Sequence, residues 1–290
     1  MARAPRGRRR AQTPGGRGLS DILAGQPADE ATLAELYDLE HDEITEDLEF
    51  YAGWAARRPG TVIDLGCGSG RLFRSLLDGG ASRVVGLDGS PALVARARSR
   101  IQADAELRAA VDAGRLEVGL ADVRRVRRRE RAGLVILAGV IAHLDGPEDA
   151  VRTFASARAL LEDDGLLVID QLGPGGLPPH DLPLSVDWER SLDGRKVVRR
   201  SSLVRHDAPE GLRVEYRTLT DLVGADGTIA RLPAGFRLWY PSPSATISLA
   251  AEANLEVVAA FGSHDLAPLD ERSDRCIIVV RRAVDEPGTG

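Results

Sequence analysis

Residues 62–70 read Val-Ile-Asp-Leu-Gly-Cys-Gly-Ser-Gly. A short β-rich apolar run closes on an acid, and glycines at 66, 68 and 70 follow before an amphipathic stretch begins at Arg71. Glycine reaches backbone angles closed to other residues and lets a ligand approach the main chain. A buried strand that ends in an acid and turns sharply through glycines into a helix is one of the few local sequences that fix the fold around them.

The same rhythm continues downstream. Thr61–Leu65, Arg83–Leu87, Arg115–Leu120, Gly133–Leu137 and Gly165–Asp170 read as apolar strands. Between them lie helical stretches from Arg71, from Ser90-Pro91 (an N-cap serine with proline at the first position) and from Gly146-Pro147 to Leu161. Continuously apolar strands alternating with amphipathic helices require a parallel sheet covered on both faces. Residues 29–57 read as one helix placed before this pattern, with Tyr37, Ile44, Leu48, Tyr51 and Ala55 on a single face. After Gly173 the period falls to two, and the turn pairs Asp193-Gly194, Glu210-Gly211 and Asp226-Gly227 mark hairpins. A helix near Ser244–Ala253 and strands Glu256–Phe261 and Cys276–Arg281 close the chain. The expected fold is therefore α/β: a Rossmann-like, seven-stranded, mostly parallel sheet with an inserted antiparallel β-sheet. Its expected divisions are a disordered Arg/Gly/Pro-rich tail at 1–24, the ligand-binding domain at 25–180 and 244–283, and the insertion at 185–240, serving as a substrate lid or a dimer surface. Apolar residues at 43% and charged residues at 28% of the chain supply the core such a fold needs.

Three acids fall at the carboxyl ends of the first three strands: Asp64, Asp88 and Asp122. In an open parallel sheet those ends surround one crevice. Asp64 can anchor a cationic or hydrogen-bond-donating group. Asp88, eighteen residues after Gly70, can accept from both hydroxyls of a ribose. A dinucleotide site would place its third glycine at position 71, where this chain has Arg71, and an acid two residues before the first glycine opposes a pyrophosphate. Three carboxylates instead suit a ligand with one ribose, no phosphate and positive groups, such as S-adenosylmethionine.

With those residues in view, the segment from about 30 to 170 resembles the class I S-adenosylmethionine-dependent methyltransferases. Within that class it is most similar to small-molecule enzymes of secondary metabolism, including sugar N,N-dimethyltransferases and others of antibiotic biosynthesis. Tyr37-Asp38, His143-Leu144, the antiparallel insertion and Ala260-Phe261-Gly262-Ser263 carry that narrower likeness. The resemblance implies that Asp64 and Gly66 hold the methionine end and that Gly68 also binds the cofactor. It implies that Asp88 binds the ribose, with Gly89 beside the adenine. It also implies that Asp122 accepts from the adenine amino group, that the Val123 amide meets a ring nitrogen, and that Ala138 offers its carbonyl. Ala138-Gly139-Val140-Ile141 stands where amide methyltransferases of DNA or protein glutamine share a polar-Pro-Pro-aromatic motif. The magnesium-holding carboxylates of catechol-type enzymes are missing there too, so no metal is expected.

His143 is the candidate for removing or orienting the acceptor proton, against a plain role in packing the loop before Pro147. Tyr37 is the candidate for covering the methionine end or orienting the acceptor, against core packing. Tyr51 reads as core. His180, His206 and His264 read as surface, and Cys67 as a turn filler. Trp188, Trp239 and Tyr240 read as sheet packing or as a cavity wall. Residues 1–20 hold six arginines and no acid, residues 21–50 hold eleven acids and no Lys or Arg, and Arg124–Arg131 holds six arginines. The acidic stretch either steers a cationic substrate or pairs with the chain's own Arg-rich tail or loop. The arginine clusters read as solvated, and no nucleic-acid partner is expected. No apolar run reaches about 18 residues, so no membrane span is expected. Two cysteines and no secretory signal point to the cytoplasm. The expected function is methyl transfer from S-adenosylmethionine to a nitrogen or oxygen of a small acceptor, by a chain acting alone or as a homodimer. The alternatives are an RNA methyltransferase and a repurposed S-adenosylmethionine binder without transfer.

Overall fold

A computed structural model describes residues 29–284; the Arg-rich tail at 1–24 lies outside them. The chain begins with helices α1 (Glu30–His41) and α2 (Leu48–Arg57). Strands β1 (Thr61–Leu65), β2 (Arg83–Asp88), β3 (Leu116–Leu120), β4 (Ala132–Ala138) and β5 (Leu161–Leu172) then alternate with α3 (Phe73–Asp78), α4 (Pro91–Ala103), α5 (Ala105–Asp112) and α6 (Pro147–Leu160). Four long strands follow: β6 (Leu182–Leu192), β7 (Arg195–Ala208), β8 (Gly211–Val223) and β9 (Ile229–Pro241). Helix α7 (Pro243–Glu252) and strands β10 (Leu255–Phe261) and β11 (Arg275–Arg282) complete the described chain. The main sheet has seven strands in the order β10-β11-β5-β4-β1-β2-β3, and only β11 runs against its neighbours. β6 to β9 form a separate antiparallel sheet.

The core forms on both faces of the main sheet because its strands are apolar at successive positions. Ile63, Leu65, Val85 and Leu87 pack with Phe154 of α6 and Leu249 of α7 on one face. Val62, Val84, Leu134 and Ile136 pack with Tyr51, Phe73 and Ile101 on the other. Switch order and polarity then leave β1, β2 and β4 with their carboxyl ends exposed to one crevice.

The expected single helix over 29–57 is two helices broken at Asp42–Asp47. Like charges four apart (Asp42 with Glu46, Glu43 with Asp47) weaken the helix there. Arg71 then fixes the break by donating to the Ile44 carbonyl at 2.8 Å and to both Asp47 carboxylate oxygens at 2.7 and 2.6 Å. Helix α5 has no counterpart in the sequence reading. Asp104 ends α4 and caps α5 at once, accepting from the Glu106 and Leu107 amides. β9 runs unbroken through Pro233, which a strand at the edge of its sheet tolerates because no ladder bond is lost on its open side.

Asp170, near the end of β5, is 1% exposed and joins three elements. Its Oδ2 accepts from Tyr51 Oη at 2.6 Å and lies 2.9 Å from His264 Nε2, while Arg275 Nε donates to Oδ1 at 2.9 Å. Burial works to raise the carboxyl pKa, but the His264, Arg275 and Tyr51 contacts outweigh it and hold the group ionised below its ordinary value. His264 is thus a partner of a buried acid rather than a surface residue. Tyr51→Phe is expected to remove a hydrogen bond to a buried charge and to lower stability by about 1.5–3 kcal/mol. Urea denaturation checks this: the midpoint should fall at unchanged m-value. An unshifted midpoint would show that the phenol contributes nothing.

Candidate active site

The crevice is built around Asp64 and Asp88. Asp64 is the fourth residue of β1, paired with Gly86 on one side and Ile136 on the other, and is 1% exposed. Among the described residues its Oδ2 has no hydrogen-bond partner. Burial first, then the nearby Asp88 charge, push its pKa up to about 7, with Arg71 opposing. Buried polar atoms in native proteins are almost always satisfied, so an orphaned carboxylate oxygen at a sheet edge marks a place for a donor or cation from outside the chain.

Asp88, last residue of β2, is satisfied on one lone pair of each oxygen. Gly68 N donates to Oδ2 and Ser90 N donates to Oδ1, both at 2.8 Å. These bonds fix the carboxylate plane and leave further lone pairs free for hydroxyl donors. The glycine turn is shaped to fit. Gly66 and Gly68 hold φ of 80° and 57°. A Cβ on Gly66 would lie 2.3 Å from Val140 Cγ2, and one on Gly68 would lie 3.0 Å from the Tyr37 hydroxyl. Both positions therefore need glycine for conformation and for space. The same two approaches bring Tyr37 on α1 and the 3-10 turn Ile141–His143 against the glycine loop.

Tyr37 is half-buried, and its phenol pKa is pushed up to about 12, mainly by burial and also by the surrounding Asp88, Asp64 and Asp38 charges. It stays protonated and donates. His143 is exposed to solvent on the crevice side, with protein packed close to part of its ring. That burial lowers the imidazole pKa, with His41 adding to the effect and Asp88 opposing it. At neutral pH His143 is therefore a neutral proton acceptor. Gly89 follows Asp88 at the exposed edge, and Ala138 closes β4 opposite Asp170. Asp122 and Val123 sit past β3, held near Asp88 by the bond from Ala121 N to Asp88 O. The Asp122 carboxylate is already occupied: Arg124 and Arg125 bond it and hold its pKa down to about 2. The Val123 amide opens a 3-10 turn, a position whose N–H has no partner within the turn.

Tyr37, Asp64, Gly66, Gly68, Asp88 and His143 thus converge, with Gly89, Ala138, Asp122 and Val123 along the same edge. Arg71 and His41 also belong to the site, and nothing in their local sequence marked them. Arg71 depends on the helix break and His41 on stacking against Tyr37. The acidic stretch is largely paired within the chain: Asp38 with Arg96 at 2.7 Å, Asp42 with Arg100 at 2.6 Å, Glu43 with Arg190 at 2.6 Å and Glu40 with Arg199. Those partners lie on α4 and the inserted sheet. Cys67 is buried with its thiol pKa pushed far up, so it is no nucleophile. Trp239 is buried in the main core and Trp188 packs between the insertion and α1.

An orphaned anion, a carboxylate set for hydroxyls and a cradle without Cβ atoms fit the ammonium end and ribose of S-adenosylmethionine. The family model for a methyltransferase domain matches residues 62–165. Comparison with curated protein sequences gives no match. Among solved structures, the CcbJ methyltransferase from Streptomyces caelestis aligns at TM-score 0.67 and 23% identity, over 89% of this chain and 100% of that one. The sugar N-methyltransferase KedS8 from Streptoalloteichus aligns at TM-score 0.64 and 21% identity, over 95% and 100%. CalS10 from Micromonospora echinaspora, an amino pentose methyltransferase of calicheamicin biosynthesis, aligns at TM-score 0.62 and 21% identity, over 88% and 98%. At these identities the likeness is one of fold. Residues 62–165 thus match the model of a methyltransferase domain, and the chain shares its α/β fold with these solved methyltransferases.

Proposed function

We propose that the chain transfers a methyl group from S-adenosylmethionine to a nitrogen or oxygen of a small-molecule acceptor in secondary metabolism. The observation that carries this reading is the unpartnered Asp64 oxygen beside the Asp88–Gly68 bond. Asp64 and the glycine turn would hold the methionine end, Asp88 the ribose hydroxyls, and Gly89 and Val123 the adenine, with the Ala138 carbonyl at the edge of β4; Asp122 would accept from the adenine amino group only by giving up a bond to Arg124 or Arg125. When bound, S-adenosylmethionine supplies an electrophilic methyl carbon on a good leaving group. The chain's own work is then to orient the acceptor, exclude water and take up its proton. The protonated Tyr37 hydroxyl orients the acceptor, and the neutral His143 imidazole receives or directs its proton.

The inserted sheet would act as a lid; in support, β9 packs against the Ile141–His143 turn and Leu36 of α1 packs against Val197 and Leu222. A surface for a second copy is its other use. Two buried free cysteines suit a reducing cytoplasm. Among the described residues no helix is long and apolar enough to cross a membrane. The RNA reading is weakened by the pairing of Arg124 and Arg125 with Asp122, and of Arg128 with Glu117.

Incubation with methyl-labelled donor and a panel of amino sugars, alkyl amines and phenols tests this function. Label is expected in a small product. Donor binding with no labelled product across the panel would favour a binder without transfer, and label in added RNA would favour the nucleic-acid reading.

A further inference from the structure

One row of the inserted sheet stays open to solvent at both ends. Leu182 of β6, Leu203 of β7, Tyr216 of β8 and Phe236 of β9 are paired strand to strand, so four apolar or aromatic side chains cross the sheet side by side. Leu182 and Phe236, at the two ends, are 38% and 39% exposed. The Tyr216 and Phe236 rings stand 6.3 Å apart. Side chains alternate across a strand, so the row shares its face with Val197 and Leu222, where Leu36 of α1 packs.

β8 and β9 are tied to both elements that carry candidate catalytic groups. On one side Arg199 Nη2 donates to Tyr216 Oη at 3.0 Å, and Arg199 Nη1 pairs with Glu40 of α1, one turn after Tyr37. On the other side Arg213 Nη1 donates to the Asp145 carbonyl at 3.1 Å, two residues past His143. Trp239, paired with Arg213, shares the core with Ile141 and Leu144. Arg213 and Trp239 each lie three residues from the row, about 10 Å of strand. The row therefore lies between the Tyr37 helix and the His143 turn.

Its surroundings do not suit phosphate. The nearest arginines on its face are engaged: Arg199 with Glu40 and, at 3.7 Å, Asp187, and Arg205 with the Pro178 carbonyl and, at 3.0 Å, Asp207. Neither guanidinium is left to fork onto a phosphate, and Glu40 and Asp187 would repel one. Resting on the methyl-transfer reading, we propose that this row is the acceptor shelf. It takes a phosphate-free acceptor whose reacting nitrogen or oxygen adjoins an aromatic or aliphatic group. That group lies on Leu203, Tyr216 and Phe236 while the reacting atom reaches Tyr37 and His143.

Calorimetric titration of the full chain, saturated with S-adenosylhomocysteine, with n-alkyl amines from butyl to octyl tests this without turnover. Affinity is expected to rise about two- to fourfold per added methylene. Phenethylamine should bind, and a phosphate ester at the para position of its ring should weaken binding about tenfold or more. Phe236→Ser should lower octylamine affinity about tenfold and flatten the series, and Phe236→Leu should restore both. Affinity for S-adenosylhomocysteine should stay within about twofold in both variants, which separates a lost shelf from a lost fold. A series without length dependence, tighter binding of the phosphate ester, or a Phe236→Ser chain that binds like the parent overturns the proposal while leaving methyl transfer intact. So does sedimentation that finds a dimer in the parent and a monomer in Phe236→Ser, which would make the row a contact between copies. Failure of the unaltered chain to bind S-adenosylhomocysteine strikes the methyl-transfer reading first, and the shelf falls with it.

Discussion

Replacing Asp88 with alanine is expected to lower affinity for S-adenosylhomocysteine by about 10²–10⁴-fold. Each hydrogen bond from a ribose hydroxyl to an ionised carboxylate is worth about 1.5–3 kcal/mol, and two are lost together. The substitution also removes the acceptor for Gly68 N and Ser90 N, which loosens the turn that forms the other half of the cradle. Asparagine offers no rescue, because its amide must point a donor at one of those two N–H groups. The protein should remain folded, since the core strands on either side are unchanged, and a circular dichroism melt separates lost binding from lost fold. Calorimetric affinity within threefold of the parent, threefold being about 0.65 kcal/mol, would remove Asp88 from the site.

Asp64→Asn is expected to have an effect nearly as large and a different signature. The carboxyl, with its pKa near 7, must lose its proton before it can pair with an ammonium group. Affinity in the unaltered chain should therefore rise with pH from about 6 to 8. Asparagine should flatten that dependence and cost about 10²–10³-fold at pH 8, the usual consequence of breaking a buried ion pair. Stability of the ligand-free chain carries the opposite sign. The folded-state pKa lies above the unfolded value of about 3.9, so the folded form binds the extra proton between those values. The Asp64 contribution is full below about pH 4 and is lost as pH rises through about 7. Asparagine should remove that slope from a series of thermal melts. Affinity that does not change with pH in the unaltered chain would contradict the assignment.

How much of this was legible in the chain follows from distance along it. Asp64, Gly66, Gly68 and Asp88 belong to two strand ends and the turn between them, so strand period and glycine spacing display them directly. The two-faced burial of β1, β2 and β4 is equally local, as is the change to period two at the insertion. What depends on distant partners stayed hidden. Tyr51 and His264 looked like ordinary core and surface residues, yet both meet Asp170, the first across 119 residues of chain. The break between α1 and α2 needed Arg71, and the stack that sets His41 needed the end of α1 to lie over the glycine turn. The acidic run left two uses open, attracting a cation or pairing with the chain's own Arg-rich tail or loop. Its charges are held instead by arginines of α4 and the insertion, a pairing only the fold could bring about.

The central claim is that this crevice holds a singly ribosylated, cationic sulfur nucleoside between Asp64 and Asp88. Calorimetric titration of the whole chain with S-adenosylhomocysteine at pH 8, alongside Asp88→Ala and a nicotinamide dinucleotide, tests it most directly. The account predicts saturable one-to-one binding by the unaltered chain, little or none by the variant, and none of the dinucleotide. Binding of the dinucleotide without S-adenosylhomocysteine, or equal heats from parent and variant, would contradict it.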